Sequence, residues 1–323
     1  MNNIYGEEYK SDSKFVAECR KLQSIYRYEI GEEICPYTDR YGNLHYYGNY
    51  ISNGENTKNG CWKNFLTEYA FKYAKDRVKY KKKYETIESD RLFNNLLSSQ
   101  PMAFNLFCPL RQMLEESPQV VTKVVNMALP GYPIRKVTEV DLEFIPENYK
   151  ELTGDKSAMD AIIRFKDEKG NDGFIAIETK YSENLGTNVA YDRDVNGKKI
   201  PRAKSIEAVM ELQCFKPDVE ELMIIGKKGL TQIYRNFLLS ETYGFKEGLQ
   251  SYSIILAPQK HPSTGKELKS LHNELRNEYK NKIKQVYLDD FVNAIILSCP
   301  DKYRIIFERF YDRYLNFGKL EKY

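Results

Sequence analysis

Histidine is scarce in this chain: among 323 residues only His45, His261 and His272 occur, which leaves little material for histidine-based general base catalysis or a multi-histidine metal cage. Six cysteines, at 19, 35, 61, 108, 214 and 299, form no CxxC pair and have no histidine at zinc-finger spacing, which argues against a thiolate zinc site. Any metal would therefore meet hard oxygen ligands. No uninterrupted apolar run approaches the roughly twenty residues a membrane helix needs, and the opening Met1–Glu8 has neither the positive flank nor the apolar stretch of a signal peptide. The expectation is a soluble, cytoplasmic protein with no membrane partner. An excess of one charge is also missing. Lysine plus arginine (49) nearly balances aspartate plus glutamate (46), so a basic surface for nucleic acid has to be local.

What is present is a 41% hydrophobic chain, enough for one large core or a core with an appendage, and 26 tyrosines. Tyrosine can stack on bases and bond phosphates, but it also fills half-buried helix positions. A capping Ser11-Asp12-Ser13 opens a helix expected over residues 11 to 29. Residues 31 to 60, rich in Gly, Asn and Tyr, suggest an irregular insertion. A long helix is expected over 61 to 83, with a basic end at Lys79–Lys83 that suits the helix dipole. Prolines 101, 109, 118 and 130 punctuate further helices over 88 to 129.

The period then changes. Thr138–Phe144 alternates polar and apolar residues like a half-buried strand. Asp160–Phe165 and Phe174–Lys180 read as two more strands, joined by the turn sequence Lys169-Gly170-Asn171-Asp172-Gly173. Helices around 203 to 214 and 230 to 242, a strand at Tyr252–Leu256, a helix over 264 to 280 and a strand near Val286–Leu288 follow. This order predicts an α/β fold whose mixed sheet, an antiparallel meander plus a parallel crossover, is flanked by helices. A C-terminal helix should pack through Ile305, Ile306, Phe310, Tyr314 and Leu315.

Residues two apart on a strand share a face, so Glu178 and Lys180 point the same way and Ile177 and Thr179 the other. A hairpin around residues 169 to 173 sets Phe165 near Phe174 and carries Asp160 to residues 178 to 180. Two carboxylates close together make an oxygen site of the kind magnesium prefers, and the lysine can hold a water and offset charge developing on phosphate. Beside the apolar Ile175-Ala176-Ile177, charge is costly unless paired or metal-bound. Glu139, Asp141 and Glu143 alternate with apolar neighbours and so share a polar strand face, from which Glu143 is the candidate additional ligand. Gly226-Lys227-Lys228-Gly229 precedes a helix start bearing Gln232, Arg235 and Asn236, where a cationic loop and a helix N-terminus could meet a phosphate. Ser98 and Ser99 suit an N-cap.

Gly154-Asp155-…-Met159-Asp160 followed by Ile177-Glu178-Thr179-Lys180 resembles the core of the PD-(D/E)XK nuclease superfamily, and specifically a bacterial restriction-endonuclease family. Ser98-Ser99-Gln100-Pro101 resembles that family's upstream helix start, and Gln232-Ile233-Tyr234-Arg235-Asn236 its downstream helix. The resemblance covers roughly residues 88 to 315. It implies a restriction-endonuclease-like domain over 88–323, with 1–87 as an N-terminal extension. It implies Asp160 and Glu178 as metal ligands, Lys180 as the catalytic lysine, and Mg2+, or Mn2+ in its place, as cofactor. Here the motif reads Gly-Asp-…-Met-Asp rather than a literal Pro-Asp, a departure from the family pattern that bears on the position of the first acid. The expected nucleic-acid contacts are Ser99, Gln100, Lys227, Lys228, Gln232, Arg235 and Asn236. The expected activity is DNA endonuclease in restriction or phage defence, with RNA as another substrate and a homodimer suited to cutting two strands. The rival from another class is a binding protein that keeps the fold without cutting.

Overall fold

The computed structural model describes residues 4–52 and 62–323. Along the chain come α1 (Lys14–Glu29), β1 (Tyr37–Thr38), β2 (Leu44–His45), α2 (Glu68–Lys79), α3 (Ser89–Asn94), α4 (Ser99–Glu116) and α5 (Pro118–Ala128). Next are β3 (Lys136–Phe144), α6 (Tyr149–Leu152), β4 (Met159–Lys166), β5 (Asp172–Thr179), β6 (Asp192–Arg193), β7 (Lys199–Ile200), α7 (Ala203–Leu212) and α8 (Pro217–Ile224). The remainder is α9 (Gln232–Glu247), β8 (Gln250–Ala257), α10 (Thr264–Glu274), α11 (Asn277–Lys280), β9 (Ile283–Tyr287), α12 (Leu288–Ser298), α13 (Asp301–Tyr314) and a closing 3-10 turn, Phe317–Glu321.

Five strands form the central sheet in the order β3-β4-β5-β8-β9. The first three run antiparallel, and β8 and β9 then join parallel. The mixed sheet flanked by helices is therefore as the residue pattern predicts. Strand β5 is buried on both faces, as a strand between two neighbours covered by helices must be. Ile175 and Ile177 join the core that also holds α4, α5, α12 and α13, while Phe174 and Ala176 face the other way with Met159 and Ile162. A second core lies under α7, α8, α9 and α10 and takes Ile255 and Ile283 from the sheet. Each fully buried isoleucine or phenylalanine among these contributes on the order of 1.5–3 kcal/mol.

Several boundaries differ from expectation for local reasons. The helix expected from 61 begins at Glu68, because the Thr67 side chain accepts from Ala70 N at 3.1 Å and caps it there. Residues 53–61, including the end of the expected insertion, lie outside the described residues. The helix expected over 264 to 280 breaks at Leu275, whose extended backbone bridges to Phe215 while Arg276 Nε donates to Phe215 O at 2.7 Å. Its following strand runs Ile283–Tyr287, and Leu288 already belongs to α12. In the β4–β5 hairpin Phe165 pairs with Gly173 rather than Phe174, one residue off the expected register. Asp167 causes this by closing the turn early, accepting from the backbone of Lys169 and Asn171. On α13 the buried residues are Tyr303, Phe307, Phe310, Arg313 and Tyr314, and Ile305 is exposed.

Candidate active site

Pairing across the sheet assembles the acids. Leu142 pairs with Ala161, and Phe144 with Met159, which brackets Glu143 across from Asp160. Ala161 pairs with Ile177, so one step further along the hairpin Asp160 stands across from Glu178. Three carboxylates thus form a row over three strands, and Lys180 Nζ sits 2.8 Å from Glu178 Oε1. All four side chains line one cleft of about 350 Å³, with Ser99, Gln100, Lys156 and Gln232 among its walls.

Glu143 does not continue a polar strand face with Glu139 and Asp141, as alternation predicts. A left-handed φ of 51° at Glu143 breaks the alternation. Glu139 pairs with Arg164 at 3.0 Å, and Asp141 meets Tyr73, Arg77 and Arg111. Glu143 instead turns inward, where Gln100 Nε2 donates to its Oε1 at 2.9 Å. A non-glycine residue held at positive φ costs on the order of 1–3 kcal/mol, and such strain persists where the surroundings enforce it.

Asp160 takes both its hydrogen bonds on Oδ2, from Thr179 N at 2.6 Å and Thr179 Oγ1 at 2.8 Å. Thr179, expected on the opposite face, reaches Asp160 because β5 ends there. Glu178 has both oxygens engaged. Gln232 Nε2 donates to Oε1 at 2.8 Å, and Asn236 Nδ2 to Oε2 at 2.6 Å. The two amides are four residues apart on α9 and so share one helix face. Gln232 is itself fixed, its Oε1 accepting from Gly186 N at 2.7 Å.

Burial and the neighbouring acids reinforce one another. Burial, then Glu178 and Glu143, push the Asp160 carboxyl well above its usual range, against the pull of Lys180. Burial pushes Glu143 up to about 7, opposed by Gln100. For Lys180, burial alone would lower the ammonium, but Glu178 and Asp160 hold it above its ordinary value. Three acids face one lysine, so the pocket carries more potential negative charge than it balances.

Hard oxygen donors, that imbalance and the buried Gln100 Oε1 with no hydrogen-bond partner all suit a divalent cation. Among the described residues no group of three His, Cys, Asp or Glu side chains is placed to hold a metal ion in this geometry.

The remaining expected contacts divide. Ser98 caps α4, accepting from Gln100 N at 3.2 Å, while Ser99 N and Oγ both donate to Glu183 Oε1. Arg235 turns to Asp155, 2.9 Å from Nε to Oδ2, and to the carbonyl of Asn188. Lys228 pairs with Glu274 at 2.8 Å, and the exposed Lys227 is not part of the cleft wall. Asp155, the other acid of the motif, is held by Arg202, Arg235, Ser157 N and Ser157 Oγ, whereas Asp160 faces Glu178. Sequence reasoning missed Glu183, which joins Ser99, Arg91 and Ser182 N. It lies beyond the end of β5, where no periodicity marks it.

No helix among the described residues is long and apolar enough to cross a membrane. No curated protein and no solved structure matches the chain. A family model described as PD-(D/E)XK nuclease superfamily matches residues 10–316, reaching well upstream of the motif blocks and spanning the sheet, the acid row and α9. The chain belongs to the PD-(D/E)XK nuclease superfamily.

Proposed function

We propose that this protein is a metal-dependent endonuclease that hydrolyses phosphodiester bonds in DNA, in restriction or phage defence, with Asp160, Glu178 and Lys180 as its catalytic residues. The observation that supports this is the row of Glu143, Asp160 and Glu178 beside Lys180 in one cleft. Magnesium, or manganese in its place, would be held by Asp160, Glu178 and Glu143, and supplies charge to polarise a phosphate oxygen and make water more acidic. Thr179 fixes the Asp160 carboxyl through Oδ2, so that Oδ1 keeps its bearing in the cleft. Gln232 and Asn236 set the plane of the Glu178 carboxylate. Lys180, a persistent cation, orients the attacking water and offsets charge building on the phosphate in the transition state. Two strands are to be cut with one such row per chain, which favours action as a homodimer.

One observation favours a second reading, a nucleic-acid- or partner-binding protein that does not cut: both Glu178 oxygens are already taken up by protein donors. Two experiments separate the readings. Purified protein is assayed on plasmid, single-stranded DNA and RNA with magnesium or manganese. Lys180→Ala and Asp160→Asn are expected to lower cleavage by at least about a hundredfold, and cleavage unchanged in both removes the assignment. In calorimetric titration, magnesium binding should vanish in Glu178→Ala; a wild type that binds no magnesium supports the second reading.

A further inference from the structure

Beside the catalytic cleft lies a second hollow of about 460 Å³, lined by Tyr191, Lys199, Arg202, Ser205, Lys228 and Arg235 among others. Its volume falls in the about 300–1,000 Å³ range of small-ligand sites. Its wall carries four cations and no aspartate or glutamate. Three of the four have carboxylate partners outside the wall. Arg202 and Arg235 share Asp155, Arg202 also approaches Asp192, and Lys228 meets Glu274. Lys199 has no ion pair among the described residues and instead rests 4.3 Å from the Tyr191 ring centroid. Arg193 approaches the same ring at 5.6 Å. Two guanidiniums on one carboxylate and a lysine on a tyrosine leave the hollow positive, with an aromatic wall.

The two hollows share a partition. Asp155 lines the catalytic cleft, while the arginines that grip it line the second hollow. On α9, Gln232 borders the first and Arg235, one turn on, borders the second. A strand whose phosphate lies at Lys180 would therefore pass its next nucleotide over the Asp155 partition. The short β6–β7 hairpin, antiparallel and largely exposed, carries Lys199 and starts directly after Tyr191.

We propose that this hollow is a nucleotide subsite: it takes one unstacked nucleotide of the DNA strand leaving the catalytic cleft, its base against Tyr191 and its phosphate at Lys199 and Arg202. The proposal rests on the nuclease reading for its substrate, but its test does not depend on cleavage. A short fluorescein-labelled single-stranded deoxyoligonucleotide is titrated with wild type, Lys199→Glu and the double variant Tyr191→Ala/Lys199→Ala, with calcium replacing magnesium and anisotropy as readout. Losing one stacked base predicts a roughly 5- to 150-fold weaker Kd in the double variant. Losing one phosphate contact predicts a salt dependence shallower by about 0.7 in Lys199→Glu. Thermal melting coincident with wild type shows that the variants fold. Affinity and salt slope unchanged in both variants, or no binding of the strand by wild type, overturn the subsite. Weaker binding in these variants, together with wild-type cleavage in Lys180→Ala, would keep the subsite and discard the catalytic assignment.

Discussion

A carboxylate that accepts from two amides on one helix cannot rotate without losing one of them, and Asn236 is the amide whose removal leaves the backbone intact. Its Nδ2 lies 2.6 Å from Glu178 Oε2, while its Oδ1 is buried without a partner. The amide is thus oriented for the acid rather than for its own satisfaction. Asn236→Ala should weaken magnesium binding and slow cleavage by about 10- to 100-fold, the usual effect of losing a group that orients a ligand. Calorimetry is the deciding readout, and magnesium affinity equal to wild type would leave Asn236 a packing residue. At this scale the sequence was uneven. Glu178 and Lys180 were legible because strand periodicity puts them on one face, and Asp160 because a hairpin brings it there. Asn236 was legible as a polar helix residue but not as a partner of Glu178, since a contact across 58 positions depends on how α9 settles on the sheet.

Among the elements, α9 ties the site to a second buried acid. Gln232 and Asn236 face Glu178, and Glu241 further along the same helix is 4% exposed with Oε1 unpartnered. Burial pushes its carboxyl up to about 7 from an ordinary 4.5, against the pull of Lys282 and Ser251. Because the folded value is raised, the stability this group favours is fully present below about pH 4.5 and is lost as pH rises through about 7. The loss amounts to roughly 2–4 kcal/mol. Glu241→Gln should therefore gain on wild type between pH 5 and 8, measured by urea denaturation at each pH. A variant whose pH dependence parallels wild type would refute the assignment. Elements with strong periodicity, β3 to β5 and α9, were readable from the sequence. The inward turn of Glu143 was not, because a positive φ at a non-glycine residue has no compositional mark.

At the scale of the whole molecule, we propose residues 1–87 as an N-terminal extension of an 88–323 nuclease-like domain, joined to it through Arg313. This guanidinium is 1% exposed and has no ion pair among the described residues. Its donors go to Gln23 Oε1 at 3.0 Å, Asn64 O at 2.8 Å and Asn64 Oδ1 at 2.6 Å, and its face lies 4.0 Å from the Tyr26 ring centroid. All of these partners come from before residue 88. Gln23 Nε2 in turn donates to Tyr181 OH at 3.0 Å, next in sequence to Lys180. A chain beginning at residue 88 would bury this cation with none of them, or expose the core around Tyr314 and Phe310. Leaving a buried charge without its partners costs about 3–5 kcal/mol. The 88–323 chain is therefore expected to fail to melt cooperatively, while Arg313→Ala in the full chain, which removes the charge but leaves the Gln23 and Asn64 acceptors without its donors, should lose roughly 1–3 kcal/mol by urea denaturation. Cooperative melting of the truncated chain near the wild-type temperature would show that the extension docks without supporting the core.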